Sequence, residues 1–165
     1  MYLLDANVFI TAKNLQYGFD FASGFWEWLD KGHAHGILCS TEHVRHELLA
    51  GPDELSEWAK QRESFFYPPN PAVIPSMQRL ATWARSGRFH STAADEFLRV
   101  ADFQLVAHAH AFNFTVVTHE RPNPLAKKRI LIPDACQELG VPWTDPYSML
   151  RSAGIRLVLD RNGTS

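Results

Sequence analysis

Four acids stand out by where they sit. Asp5 directly follows the apolar run Tyr2-Leu3-Leu4, and Glu120 follows Val116-Val117-Thr118 with only His119 between. An acid after a strand most often caps a helix or a turn, so neither residue is informative alone. Two helical acids change the balance. Asp102 falls within the stripe formed by Leu98, Ala101, Leu105, Val106 and Ala109, and Glu47 lies beside Val44 and Leu48. Both are expected to face inward, where a carboxylate is costly unless paired, hydrogen-bonded or on a metal. A buried salt bridge would satisfy either one. Four carboxylates in one pocket, however, repel each other unless a divalent cation lies among them, and an all-oxygen donor set suits Mg²⁺ or Mn²⁺ better than zinc.

Such convergence needs strands whose carboxyl ends share an edge. Tyr2–Leu4, Ile37–Cys39, Ser64–Tyr67, Thr115–Thr118 and Val141–Thr144 read as short strands, with a terminal one over Ile155–Leu159. Between them the pattern predicts amphipathic helices: Gly24 to Lys31, a helix capped by Ser40 or Thr41 and closed by Gly51-Pro52, one around Leu55 to Ala59, and Ser76–Arg85. A long helical run then extends from Ser91 or Thr92 to about Phe112, followed by a short helix after Pro133 and another over Pro146–Arg151. Residues 14–22 read as an aromatic-rich loop, and His119 to Lys128 as a polar one. Alternation of this kind implies an α/β fold, a three-layer α/β/α arrangement around a mainly parallel sheet. In such sheets ligands bind beyond the carboxyl ends of the strands, where Asp5 and Glu120 are expected.

The chain of 165 residues suits a single domain spanning 1–165, with 45% hydrophobic residues and a net charge of -2. That charge excludes a strongly basic nucleic-acid coat, though not a local basic patch. Two distant cysteines, Cys39 and Cys136, exclude a disulfide framework and a four-cysteine zinc site, and point to a reduced cytoplasmic setting. The opening MYLLDANVFI lacks a basic start and carries Asp5, so neither a signal peptide nor a membrane span is expected. Eight histidines invite a zinc reading, but His43-Val44-Arg45-His46-Glu47 lacks the His-Glu-x-x-His register of metalloproteases. No phosphate-cradling glycine loop and no serine or cysteine nucleophile motif is present.

The order of these acids resembles a known family. Asp5-Ala6-Asn7-Val8-Phe9-Ile10, Val44-Arg45-His46-Glu47-Leu48, Ala101-Asp102-Phe103-Gln104-Leu105-Val106 and Val116-Val117-Thr118-His119-Glu120 resemble the four successive motifs of PIN-domain nucleases. The early FWEWL and the late THERPNP–KKRILIPDAC are similar to a PIN-like subgroup often regarded as toxin ribonucleases of VapC type. The resemblance implies that Asp5, Glu47, Asp102 and Glu120 form an acidic Mg²⁺ or Mn²⁺ site that hydrolyses RNA phosphodiester bonds. Asn7 and Thr118 would be its polar neighbours. By position alone, His119 is a candidate for substrate contact, and Lys127, Lys128 and Arg129, just beyond Glu120, are candidates for phosphate binding or for a solvated loop or strand edge, with Arg85 and Arg88 a weaker version of the same idea. The resemblance also implies a homodimer, an antitoxin partner and no membrane association. One departure is chemical. The fourth acid of the family is commonly Asp, whereas Glu120 is one methylene longer, so direct and water-mediated ligation both stay open, with Asp134 as a candidate substitute. Two alternatives remain: a non-catalytic PIN-like module binding RNA or protein, and a phosphatase of the haloacid dehalogenase type. The latter uses a strand-end Asp as nucleophile and a second acid two residues on, where this chain has Asn7.

Overall fold

The computed structural model describes residues 1–158. Its centre is a five-stranded sheet, β1 (Tyr2–Leu4), β2 (Leu38–Thr41), β3 (Phe66–Tyr67), β4 (Thr115–Val117) and β5 (Trp143–Thr144), in the order β3-β2-β1-β4-β5. Every strand pairing is parallel, with Leu3 opposite Cys39 on one side and Val116 on the other. The strands are short, and their middle positions read as continuous apolar runs because helices cover both faces. Leu3, Leu4, Leu38, Val116 and Val117 have no exposed surface. The architecture is three-layer α/β/α.

Nine α-helices surround the sheet among the described residues: α1 (Ala6–Thr11), α2 (Ser23–Ala34), α3 (Glu42–Leu49), α4 (Glu54–Lys60), α5 (Ile74–Ala84), α6 (Ser91–Phe97), α7 (Ala101–Phe112), α8 (Ile132–Leu139) and α9 (Pro146–Ser152). Side-chain caps fix several starts: Thr41 accepts from Val44 N–H on α3, Asp53 from Ser56 N–H on α4, and Asp145 from Tyr147 and Ser148 N–H on α9. Helix α7 packs against α3, α5, α8, β2 and β4. It is consequently buried on almost every side, from Ala101 and Phe103 through Leu105 to Ala109.

Several local expectations are corrected. The run from Ser91 to Phe112 is two helices, because Leu98 to Val100 break it. The break puts Asp102 in the first turn of α7 instead of mid-helix. Helix α2 continues past Gly32 to Ala34; that glycine lets the helix approach Leu38, whose Cδ1 would lie 2.6 Å from an added Cβ. A five-residue π-helical segment, Ala12–Gln16, occupies the start of the expected loop. Phe65 belongs to a 3-10 turn, leaving β3 only two residues. Residues 155–158 form no strand, and Leu159 lies outside the described residues.

Candidate active site

The chain runs β1, β2, β3 to one side of the sheet, then returns through β4 and β5 on the other, so strand order reverses between β1 and β4. Beyond the carboxyl ends of those two strands opens a cleft of about 390 Å³. Asp5, Glu47, Asp102 and Glu120 all line it, with Asn7, Glu96 and Arg129. Four elements supply the four acids: the β1–α1 junction, the last turns of α3, the first turn of α7 and the segment after β4.

Thr118 organises the floor. It is fully buried, and its hydroxyl donates to Asp5 Oδ2 at 2.9 Å while accepting from Asn7 Nδ2 and from Glu120 N–H, each at 3.1 Å. Asn7 Oδ1 in turn accepts the His119 N–H at 3.1 Å. One hydroxyl and one amide thus tie the end of β1 to the segment after β4. Asp5 occupies the cap position of α1, yet its side chain makes no capping bond there. Only 3% of Asp5 is exposed. Burial raises its pKa from 3.8 to about 8, the charges of Asp102 and Glu120 add to the rise, and the Thr118 hydroxyl and Ala6 N–H oppose it. Asp102 is half-buried; burial and then the charges of Glu120 and Glu47 push its pKa up to about 7, against the pull of Arg129.

The remaining expected residues divide. Glu47 was expected to face inward, but it is exposed where it lines the cleft. Partial burial of its carboxyl still raises its pKa, and the Ala101 N–H at the start of α7 opposes that. Glu120 has both oxygens engaged: Oε1 takes Arg129 at 2.5 Å, and Oε2 takes the Ile132 N–H at 2.7 Å. It therefore caps the start of α8 while bordering the cleft. Asp134, the candidate substitute, does not line the cleft. It is buried in the first turn of α8, where Oδ2 accepts the Asn123 N–H at 3.1 Å and pins the polar loop. Lys127 and Lys128 are exposed on that loop and do not line the cleft either; only Arg129 of the basic segment does. The His119 ring packs against Tyr147, away from the cleft, with centroids 5.9 Å apart. Arg85 pairs with Asp95, and Arg88 donates to the Pro124 carbonyl. Glu96 on α6 is an additional cleft acid that periodicity could not single out, because it appeared to belong to one continuous helix with Asp102.

Among the described residues no three His, Cys, Asp or Glu side chains form a ready-made metal cage. Mg²⁺ does not require one. It keeps several waters and is commonly bound by one or two carboxylates together with substrate phosphates. Asp5 and Asp102 supply such a pair; burial first, and then the charges of neighbouring acids, raise both pKa values, so a cation or protons would offset the cost of holding their charges there. The donor set therefore fits a hard divalent ion, with Glu47 and Glu120 lining the same cleft.

No curated protein matches the chain. Over residues 2–157, however, it matches the family described as domain of unknown function DUF4411, and by that match the chain belongs to the DUF4411 family.

Proposed function

We propose that the chain is an Mg²⁺- or Mn²⁺-dependent endoribonuclease. The observation that carries this reading is the meeting of Asp5, Glu47, Asp102 and Glu120 in one cleft at the reversal of strand order. Asp5 and Asp102 would hold the cation directly. When bound, it would lower the pKa of an attacking water and stabilise charge on a phosphodiester oxygen. Thr118 keeps Asp5 in one orientation by its hydrogen bond, and Asn7 keeps Thr118 in turn. Arg129, exposed for much of its length and already at the cleft, offers its guanidinium to a phosphate oxygen. Glu47, exposed at the cleft, is placed to take a proton from solvent water or return one. The PIN-like resemblance of the four motifs adds the reading that this activity serves a toxin held in check by an antitoxin, and growth arrest on induction that Asp5→Asn abolishes would support it.

The test is cleavage of an unstructured RNA with Mg²⁺ or Mn²⁺ by the natural chain, Asp5→Asn and Asp102→Asn. Each variant is expected to lose at least about a hundredfold in rate, the scale of removing a central catalytic contact. Undiminished cleavage by either would end this reading. A non-catalytic binding module is the rival, favoured by the engagement of both Glu120 oxygens. Calorimetry separates the two, since the nuclease binds Mg²⁺ and the module does not. The phosphatase alternative gains nothing, because Asn7 carries no acid and is committed to Thr118 and His119.

A further inference from the structure

A second pocket of about 370 Å³ shares two helices with the acidic cleft and is in the range of roughly 300–1,000 Å³ typical of small-molecule sites. It sits between the ends of β2 and β3, the proline-rich turn over 68–73, α5 and α7. Its chemistry is unlike that of the cleft. No Asp, Glu, Lys or Arg lines it. The walls are Tyr67, three prolines, Val73, Ile74 and Met77, and the polar groups are neutral: Thr41, His43, Asn70, Gln104 and His108. Tyr67 and His108 stack, with centroids 5.6 Å apart and planes at 25°.

Two observations point to a ligand with both a flat face and a hydrogen-bonding edge. His108 is 6% exposed and lines the pocket, and neither ring nitrogen has a hydrogen-bond partner among the described residues. Both nitrogens reach accessible surface, so a hydrogen-bonding group arriving in the pocket can meet them. Burial lowers the His108 pKa to about 4, leaving a neutral imidazole with one donor and one acceptor. Gln104 stands one helical turn before it on α7 and also presents a donor and an acceptor. Tyr67, with 36% of its surface exposed, adds an aromatic wall.

Helices α3 and α7 line both the pocket and the cleft. Helix α3 carries Glu47 into the cleft and His43, four residues earlier, into the pocket, a separation of roughly 6 Å along the helix. Helix α7 likewise puts Asp102 in the cleft and Gln104 in the pocket. We infer that the pocket receives a nucleobase of the RNA strand whose backbone crosses the acidic cleft. The course of the strand rests on the ribonuclease reading; the affinity of the pocket for a base does not. The charged phosphates lie over Arg129 and the cation, and the uncharged ring enters a wall set that contains no charge to oppose it.

The experiment titrates adenosine, guanosine, cytidine and uridine singly into the metal-free chain and follows the Gln104 amide and His108 ring resonances. At least one nucleoside is expected to shift both. Ile74→Trp, which fills the pocket from its exposed rim, is expected to abolish the shift while the rest of the spectrum keeps its dispersion, and Asp5→Asn is expected to leave the shift in place. With RNA as substrate, Gln104→Leu is expected to relax the preference for one base beside the cut by roughly ten- to hundredfold, the worth of a well-placed hydrogen-bonding pair to a base edge. Nucleoside binding without RNA cleavage supports the pocket and ends the ribonuclease reading. Metal-dependent cleavage with no nucleoside shift, or with the same base preference in Gln104→Leu, overturns the pocket and leaves the ribonuclease reading intact.

Discussion

Thr118 shows how much of the site depends on one oxygen. Replacing it with valine keeps the shape but strands Asp5 Oδ2, the Asn7 amide and the Glu120 N–H at once. Leaving such groups unpaired costs about 1–3 kcal/mol each when buried. Thr118→Val should therefore lower the stability measured by denaturant titration by at least about 2 kcal/mol, while Thr118→Ser should lose much less. The acids themselves make stability depend on pH. With Asp5 at about 8 folded and 3.8 unfolded, the native state holds a proton that the unfolded state has released. Stability from this group is full below the unfolded value and falls as pH rises toward 8. His108 acts oppositely, gaining stability as pH rises from about 4 to its unfolded value of 6.5, and then contributes no further change. Between pH 6.5 and 8 the acids act alone, so metal-free stability should fall across that window. Asp5→Asn should be more stable than the natural chain at pH 8 and show a flatter profile, measured as melting temperature against pH.

At the scale of elements, the break between α6 and α7 is the feature that periodicity hides. Leu98 satisfies the inward stripe of one continuous helix, yet the chain turns there, and the turn delivers Asp102 to the mouth of the sheet edge. That Asp5 and Glu120 would border the cleft was legible because strand ends are short-range signals, whereas the helical stripe pointed to Asp102 and Glu47 with the wrong setting for each. Glu96, the exposure of Glu47 and the diversion of Asp134 to the Asn123 N–H were not legible, because they depend on where helices end and on which loop folds over which. The second pocket was equally hidden, since Tyr67 and His108 are far apart in the chain and meet only through tertiary packing. Helix α7 also ends on a backbone requirement: Asn113 is left-handed with φ of 56° and connects the helix to β4. Asn113→Gly should be tolerated. Asn113→Val should cost about 1–2 kcal/mol or more in denaturant titration, because a β-branched side chain resists that conformation.

Across the whole molecule, a net charge of -2 conceals an uneven distribution. Acid is concentrated at the reversal of strand order, and Arg129 with the exposed Lys127 and Lys128 lies on the loop beside it. Bound divalent cation would relieve the repulsion among the acids. Mg²⁺ at about a hundred times its dissociation constant should contribute about 2.7 kcal/mol, or roughly 5–10 °C in melting temperature for a chain of this size. Chelation should reverse the shift, and the double variant Asp5→Asn/Asp102→Asn should show none. No helix among the described residues is long and apolar enough to cross a membrane.

The central position of β1 has a consequence for the order of events during synthesis. Residues 2–4 form the middle strand, but one of its two neighbours comes from residues 115–117, and Thr115 N–H bonds to the Met1 carbonyl at 3.0 Å. At about 5–20 residues per second, the translating ribosome makes those segments on the order of ten seconds apart. Through that interval Asp5 exists without Thr118, first without Asp102 as well, and no cleft can form. A nascent or truncated chain ending before β4 therefore carries three of the four acids, Asp5, Glu47 and Asp102, but lacks Thr118 and Glu120 and the strand that brings them to Asp5.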